Sequence, residues 1–254
     1  MSFVYNNLAS KKVVYVFSHE RSGTHLALNL LYRNLYIQQH FLDLPVWKNS
    51  QFHHLENHWK ESEKKVQFFQ SSGGLIKSHC EAEIYKKYLP KFPVVYVVRD
   101  PRDTLVSFYY YLNNKEFHLN NPGLACLTCE SFSEFLRRPL DSFLRFGFSI
   151  NSGMENVVER WARHYSGWKK EPSCLVVRYE DLLQKMFWSV WRVGFFAKVL
   201  PKVFLRSYKV GENGAILPRK GVVGDWKNHF SASDLKFTKE VLSEFDISLS
   251  EWEN

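Results

Sequence analysis

The chain has 254 residues, with 45% hydrophobic and 24% charged, enough for one domain with a sizeable core across 1–254. The formal net charge of +8 suits an anionic partner and does not choose among nucleic acid, a membrane surface and a phosphorylated small molecule. Four cysteines (Cys80, Cys126, Cys129 and Cys174) are too few and too scattered for a disulfide framework, and Cys126 and Cys129 lack partners at zinc-site spacing, so no metal is expected.

The first residues show no basic start followed by a sustained apolar core, so no leader is expected and a cytoplasmic location is. Val13 to Phe17 (VVYVF) reads as a strand buried on both faces. The polar turn SHERSG follows, and then a helix from Thr24. Leu75 to Cys80 has a short apolar lead-in. Val94 to Val98 (VVYVV) is a second buried strand. The turn RDPRD follows it, with Asp103 as a helix cap before Thr104.

Asn113 to Cys129 reads as a loop, and Ser131 to Leu144 and Met154 to Trp168 as helices. The second helix carries an apolar stripe of Val157, Val158, Trp161, Ala162 and Tyr165. Cys174 to Tyr179 is a third buried strand, followed by EDLLQK. Phe187 to Phe204 is aromatic and apolar, broken by Arg192 and Lys198. It can cover the core or an acceptor pocket, the favoured reading, or lie on a membrane as a peripheral contact. Gly211 to Gly224 reads as a long loop. No apolar run reaches membrane-spanning length.

The recurring strand, turn and helix predict an α/β fold: three layers around a mostly parallel central sheet, with a P-loop-like strand-loop-helix. In such sheets ligands sit beyond the carboxyl ends of the strands. Ser18 to His25 is one such place. Gly23 lets backbone approach an anion, unpaired N–H groups at the helix start face it, and Arg21, Ser22 and Thr24 add donors. The loop lacks the Walker spacing and its lysine. Arg99, with Ser107 one or two turns into the next helix, suits a second phosphate, although the Arg99, Asp100, Arg102 and Asp103 group also reads as a surface ion cluster. Lys77 and His79 share a face if the strand extends through both, and His79 is a candidate base. Arg219 and Lys220, before Gly221, suit a loop that folds over a phosphate, and Trp226 reads as an anchor of that segment.

Together, in this order, these segments resemble the nucleotide-dependent sulfotransferases, from Val13 to Phe230. That family's Pro-Lys-Ser-Gly-Thr-Thr-Trp loop is similar to Glu20, Arg21, Ser22, Gly23, Thr24, His25 and Leu26. Its Ile-Lys-Thr-His element resembles Ile76 to His79, and its Arg-Asn-Pro-Lys-Asp segment with a following serine resembles Arg99 to Asp103 with Ser107. Its tyrosine before Glu-Asp resembles Tyr179. Its closing Arg-Lys-Gly-x-x-Gly-Asp-Trp-Lys-Asn-His-Phe is similar to Arg219 through Phe230.

The resemblance implies 3'-phosphoadenosine-5'-phosphosulfate (PAPS) as donor, 3'-phosphoadenosine-5'-phosphate (PAP) as product, and no metal. It implies that His79 is the base and that Arg21 and Lys77 stabilise the leaving oxygen. Ser22 to Thr24 would hold the 5' side, while Arg99, Ser107, Arg219, Lys220 and Gly221 would hold the 3'-phosphate. Tyr179 would border the adenine. Arg21 replaces a lysine, His25 a threonine and Leu26 a stacking tryptophan, so the fit to the nucleotide is altered. The acceptor is a small molecule with a hydroxyl or amine, of aromatic or lipid-like type if Phe108 to Tyr111 line its pocket. A catalytically inactive nucleotide-binding relative and an ATP-dependent kinase are the alternatives. A nucleic-acid partner is not expected, since the basic residues fall at phosphate-loop positions.

Overall fold

A computed structural model describes residues 12–38, 41–43, 66, 67, 69, 72–89, 91–114, 128–139, 155–207 and 221–253. Five parallel strands form one sheet in the order β2-β3-β1-β4-β5. They are β1 (Val13–Ser18), β2 (Phe41–Asp43), β3 (Gly74–Ser78), β4 (Val94–Val98) and β5 (Cys174–Arg178). β3 and β4 flank β1, so the strand order reverses there and the crevice for a ligand opens beyond Ser18.

β1 and β4 are buried at every position because both faces are covered. Tyr15, Phe17, Tyr96 and Val98 point into one core, and Val14, Val16, Val95 and Val97 into the other. The first core is closed by α2 (Ala82–Tyr88), α3 (Pro101–Leu112), α4 (Phe132–Arg137), α5 (Val157–Lys169) and α8 (Ala232–Ser243). The second is closed by α1 (Thr24–Asn34), α6 (Tyr179–Gln184) and α7 (Met186–Ala197). This is the three-layer α/β arrangement expected from the sequence.

Four local expectations change. β5 is an edge strand: only Val177 of its five residues is buried, and Tyr179 begins α6. α3 starts at Pro101, capped by Asp100, whose carboxylate accepts from the Arg102 N–H. Proline suits a first helical position, where its missing N–H costs nothing. Asp103 is therefore free for another task. α4 ends at Arg137, with residues 140–154 outside the described set. α5 starts at Val157, where Asn156 and Glu159 form a capping box.

Candidate active site

The β1–α1 loop is shaped by two residues in left-handed backbone, Arg21 at φ 65° and Gly23 at φ 94°. Gly23 is required twice over. Its φ disfavours a side chain, and a Cβ there would lie 2.3 Å from Cδ2 of Tyr179. α1 opens without a side-chain cap, so its first N–H groups face the loop. Ser22 Oγ is buried with no hydrogen-bond partner. Thr24 Oγ1 lies 2.5 Å from Ser18 Oγ. The Arg21 side chain leaves the loop sideways. Its Nε donates to Ser107 Oγ at 3.3 Å, and its guanidinium lies over the Tyr111 ring. His25 is half-buried. Leu26 packs in the second core with Leu30 and Leu31.

β3 ends at Ser78, so His79 stands just past the strand and Lys77 within it, buried and in register with Val16. His79 Nδ1 donates to the Ser18 carbonyl at 2.8 Å. A carbonyl only accepts, so the bond assigns the ring proton to Nδ1. Nε2 then carries the lone pair of the neutral ring. Ser18 thus joins the loop to the candidate base, through its carbonyl on His79 and its hydroxyl on Thr24.

Helix α5 supports both from below with one stripe, Arg160, His164 and Trp168, four residues apart and all buried. Arg160 makes a two-pronged contact with Glu20, Nη2 to Oε1 at 2.9 Å and Nη1 to Oε2 at 2.8 Å. Arg160 Nη1 also donates to His19 Nε2, so His19 Nδ1 carries the proton and donates to the Glu20 carbonyl. His164 Nε2 donates to the His79 carbonyl at 3.1 Å and its Nδ1 accepts from the Tyr96 hydroxyl. Trp168 Nε1 donates to the Cys80 carbonyl at 3.0 Å.

Burial raises the Glu20 carboxyl, but Arg160 and then His19 overcome it and hold Glu20 well below the usual carboxylate range. Burial, and then Arg160, push His19 far down, and burial takes His164 down to about 3. Both imidazoles are neutral in the fold near pH 7.

The second turn, Arg99 to Asp103, is not a surface ion cluster. Arg99, Asp100, Arg102 and Asp103 are all buried. Arg102 pairs with Asp100 and stacks on Trp226 at 3.9 Å, so Trp226 anchors its segment against α3. Asp103 is no cap. Its two oxygens accept from the N–H groups of Gly224 and Trp226, at 2.7 and 2.9 Å. Arg99 Nη2 donates to the Val222 carbonyl, its guanidinium lies over Tyr179, and its buried Nε has no partner. The Tyr179 hydroxyl donates to the Gly221 carbonyl, and Glu180 accepts from the Asp100 N–H. Arg219 and Lys220 lie outside the described residues, immediately before this clamped segment.

Arg21 contacts Ser107, Tyr179 contacts Gly23, Arg99 and Gly221, Ser22 lies between Arg21 and Gly23 in the loop, and His79 joins through Ser18 and Thr24. Two buried donors there, Ser22 Oγ and Arg99 Nε, have no hydrogen-bond partner, which suits an anion site. Among the described residues no group of three or more His, Cys, Asp or Glu could hold a metal, and the described cysteines are free thiols.

A family model for the sulfotransferase domain matches residues 11–203. The chain belongs to the sulfotransferase domain family. Human sulfotransferase 2B1 is 31% identical over 193 residues, 65% of this chain and 47% of that protein. Human sulfotransferase 2A1 is 25% identical over 244 residues, 83% of this chain and 76% of that protein. The chain spans about half the length of sulfotransferase 2B1 from human and mouse, at 47% and 53%. The fold is that of mouse sulfotransferase SULT7A1 complexed with PAP, with TM-score 0.63 and 18% identity over 98% of this chain and 92% of that one.

Sequence reasoning missed Ser18, Glu20, Arg160, His164 and the bonds of Asp103 to the Gly224 and Trp226 N–H groups. Arg160 and His164 sit four apart, beside the apolar stripe of α5, and that spacing was their one signal.

Breaking the buried pair leaves Glu20 charged and unpaired. Arg160→Met should lower unfolding free energy by about 3–5 kcal/mol, and adding Glu20→Leu should recover part of the loss. Denaturant melts of the three proteins measure this. The histidines give a pH signature. Unfolded, each titrates near 6.5, whereas the fold keeps both neutral. Their share of stability is complete above that value and drains as pH falls toward His164's folded value of about 3. The slope is about 1.4 kcal/mol per pH unit for each histidine. Melts between neutral and acid pH should show it, and His164→Gln should remove one histidine's share.

Proposed function

We propose that the protein transfers a sulfuryl group from PAPS to the hydroxyl or amine of a small acceptor, with His79 as general base. The observation that carries this reading is the contact between an anion-binding loop and a histidine of fixed tautomer. Ser18 is in both, and it holds the His79 Nδ1–H so that Nε2 can take a proton. The PAP-bound mouse relative supports the choice of nucleotide.

The donor supplies an activated sulfur whose bond to the bridging oxygen breaks as the acceptor bonds to it. His79 Nε2 removes the acceptor proton, and the Ser18 carbonyl stabilises the imidazolium that results. Arg21, Lys77 and the N–H groups at the start of α1 offset charge on the bridging oxygen. Ser22 Oγ and the same N–H groups hold the 5'-phosphate. Ser107 accepts from Arg21 and keeps its own proton for a phosphate oxygen, which couples the two ends of the nucleotide. Arg99, Arg219, Lys220 and Gly221 complete the 3'-phosphate grip, and that grip distinguishes the donor from ATP, which has no 3'-phosphate. Tyr179 borders the adenine while its ring keeps Gly23 in place.

Of the aromatic run read as an acceptor wall, Phe108 is core and Tyr109 packs on Phe132 and Phe135. Tyr111, whose ring lies under the Arg21 guanidinium, would be the member to meet an aromatic or lipid-like acceptor.

Calorimetric titration with PAP and with AMP tests the donor. PAP should bind at least about tenfold tighter, since two charge-assisted contacts are lost without the 3'-phosphate. Equal affinities would remove PAPS and return the site to the kinase reading. With acceptor and PAPS supplied, His79→Ala should cut turnover by about 10²–10⁴ with PAP affinity unchanged. Comparable turnover would exclude His79 as base. PAP binding with no turnover on a broad acceptor panel would favour a catalytically inactive relative.

A further inference from the structure

α7 is apolar nearly all round, yet only one of its faces is covered. Ser189, Val190, Val193, Gly194 and Ala197 are buried toward the second core. On the other side Phe187, Trp188, Trp191 and Phe195 are 59, 65, 46 and 89% exposed. Phe187, Trp191 and Phe195 follow at four-residue spacing and form one stripe. A sequence reading that puts these aromatics in the core or over a pocket does not hold for this face.

The patch continues past the helix. Lys198 takes left-handed backbone at φ 56° and turns the chain, and Gly194 lets the Val199 carbonyl and Pro201 approach closely. The following segment is tied to the end of α1. Tyr36 N donates to the Leu200 carbonyl, Lys202 N to the Asn34 carbonyl, and the Asn34 amide bridges the backbone of Arg206. This segment presents Leu200 at 71% and Phe204 at 85% exposure. The apolar groups are thus held out on anchored backbone.

The charged side chains of this segment have one sign. From Gln184 to Ser207 there are five cations (Lys185, Arg192, Lys198, Lys202 and Arg206) and no Asp or Glu. Lys185 pairs with Asp181 outside the segment, and the Lys202 ammonium donates to the Tyr32 carbonyl. Arg192 and Lys198 are exposed, with no acidic partner among the described residues. A cleft of about 460 Å³ beside the end of α7 adds Lys12 to Lys198 on that side.

We propose that this face docks the protein on an anionic lipid bilayer, with the aromatic stripe at the headgroup boundary and the cations on lipid phosphates and carboxylates. Aromatic rings and Lys or Arg together are the composition of an interfacial helix. α7 has 12 residues, so it is about 18 Å long and lies on a bilayer rather than crossing one. Among the described residues no helix is long and apolar enough to cross a membrane. A second copy of the chain is a poor occupant, since a two-fold contact would set the five cations against the same five. An anionic surface meets both the charge and the apolar area.

Co-sedimentation of the full chain tests this, with vesicles of phosphatidylcholine alone and with about one third phosphatidylserine. The protein should partition onto the anionic vesicles, with a blue shift of tryptophan emission, and should release as salt is raised. Arg192→Glu with Lys198→Glu should lower the partition roughly tenfold or more. Phe195→Asp should lower it comparably, with the melting temperature unchanged because the side chain is exposed. No preference for the anionic vesicles would overturn the proposal. So would retention of binding by both variants. A dimer in sedimentation velocity that Phe195→Asp dissociates would assign the face to a second copy instead. PAP affinity should be the same in all variants, so failure here is separable from failure of the donor assignment.

Discussion

The guanidinium of Arg160 is the fixed point from which the site is built. It lies beneath the β1–α1 loop, buried with the carboxylate it grips and the imidazole it caps. Removing such a pair from water is expensive, and a hydrophobic replacement of equal volume is often as stable. What the pair adds here is position. Glu20 precedes Arg21 directly, so the loop is tied to α5 just before its left-handed turn. One turn along, His164 fixes the carbonyl of His79, and Trp168 fixes that of Cys80 a further turn on. A single rigid helix thus sets the distance between the β1–α1 loop and His79 just past β3. Loops alone seldom achieve that.

The opposite flank is held differently. Arg102 stacked on Trp226, Asp103 on two backbone N–H groups, and Glu180 on the Asp100 N–H join β4, α3, α6 and the Gly221–Phe230 segment. Tyr179 is common to both flanks. Its ring fills the space a side chain at Gly23 would need, and its hydroxyl reaches Gly221. Arg21 crosses in the other direction to Ser107. The two halves of the crevice are therefore coupled through side chains that themselves face it.

The sequence was most readable where a local pattern is decided locally. VVYVF and VVYVV could only be doubly covered strands, and each turn after them falls at the carboxyl edge of the sheet. β5 carries the same kind of residues, but its place at the edge depends on neighbours that composition does not encode. Asp103 looked like a cap because it precedes a threonine. Pro101 moved the helix start, and Asp100 took the cap. Glu20 and Arg160 are 140 residues apart, and each alone reads as a solvated charge. The apolar stripe of α5 showed which face is buried. It could not show that a neighbouring arginine and histidine are buried too, because their partners come from β1, β3 and β4. Leu26 stands where the family pattern has a tryptophan, and it packs in the core.

Asp103 grips the closing segment by backbone alone, through the N–H groups of residues 224 and 226. Such a clasp does not read side chains, so apart from Trp226, which Arg102 holds, the stretch it secures can drift in sequence without losing its mooring. A chimera that keeps Asp103 and the Gly-Asp-Trp turn, and takes the residues before Gly221 from a relative, preserves the attachment while changing what precedes it. The fold separates attachment from recognition at this point, which gives a family room to diversify one without unmaking the other.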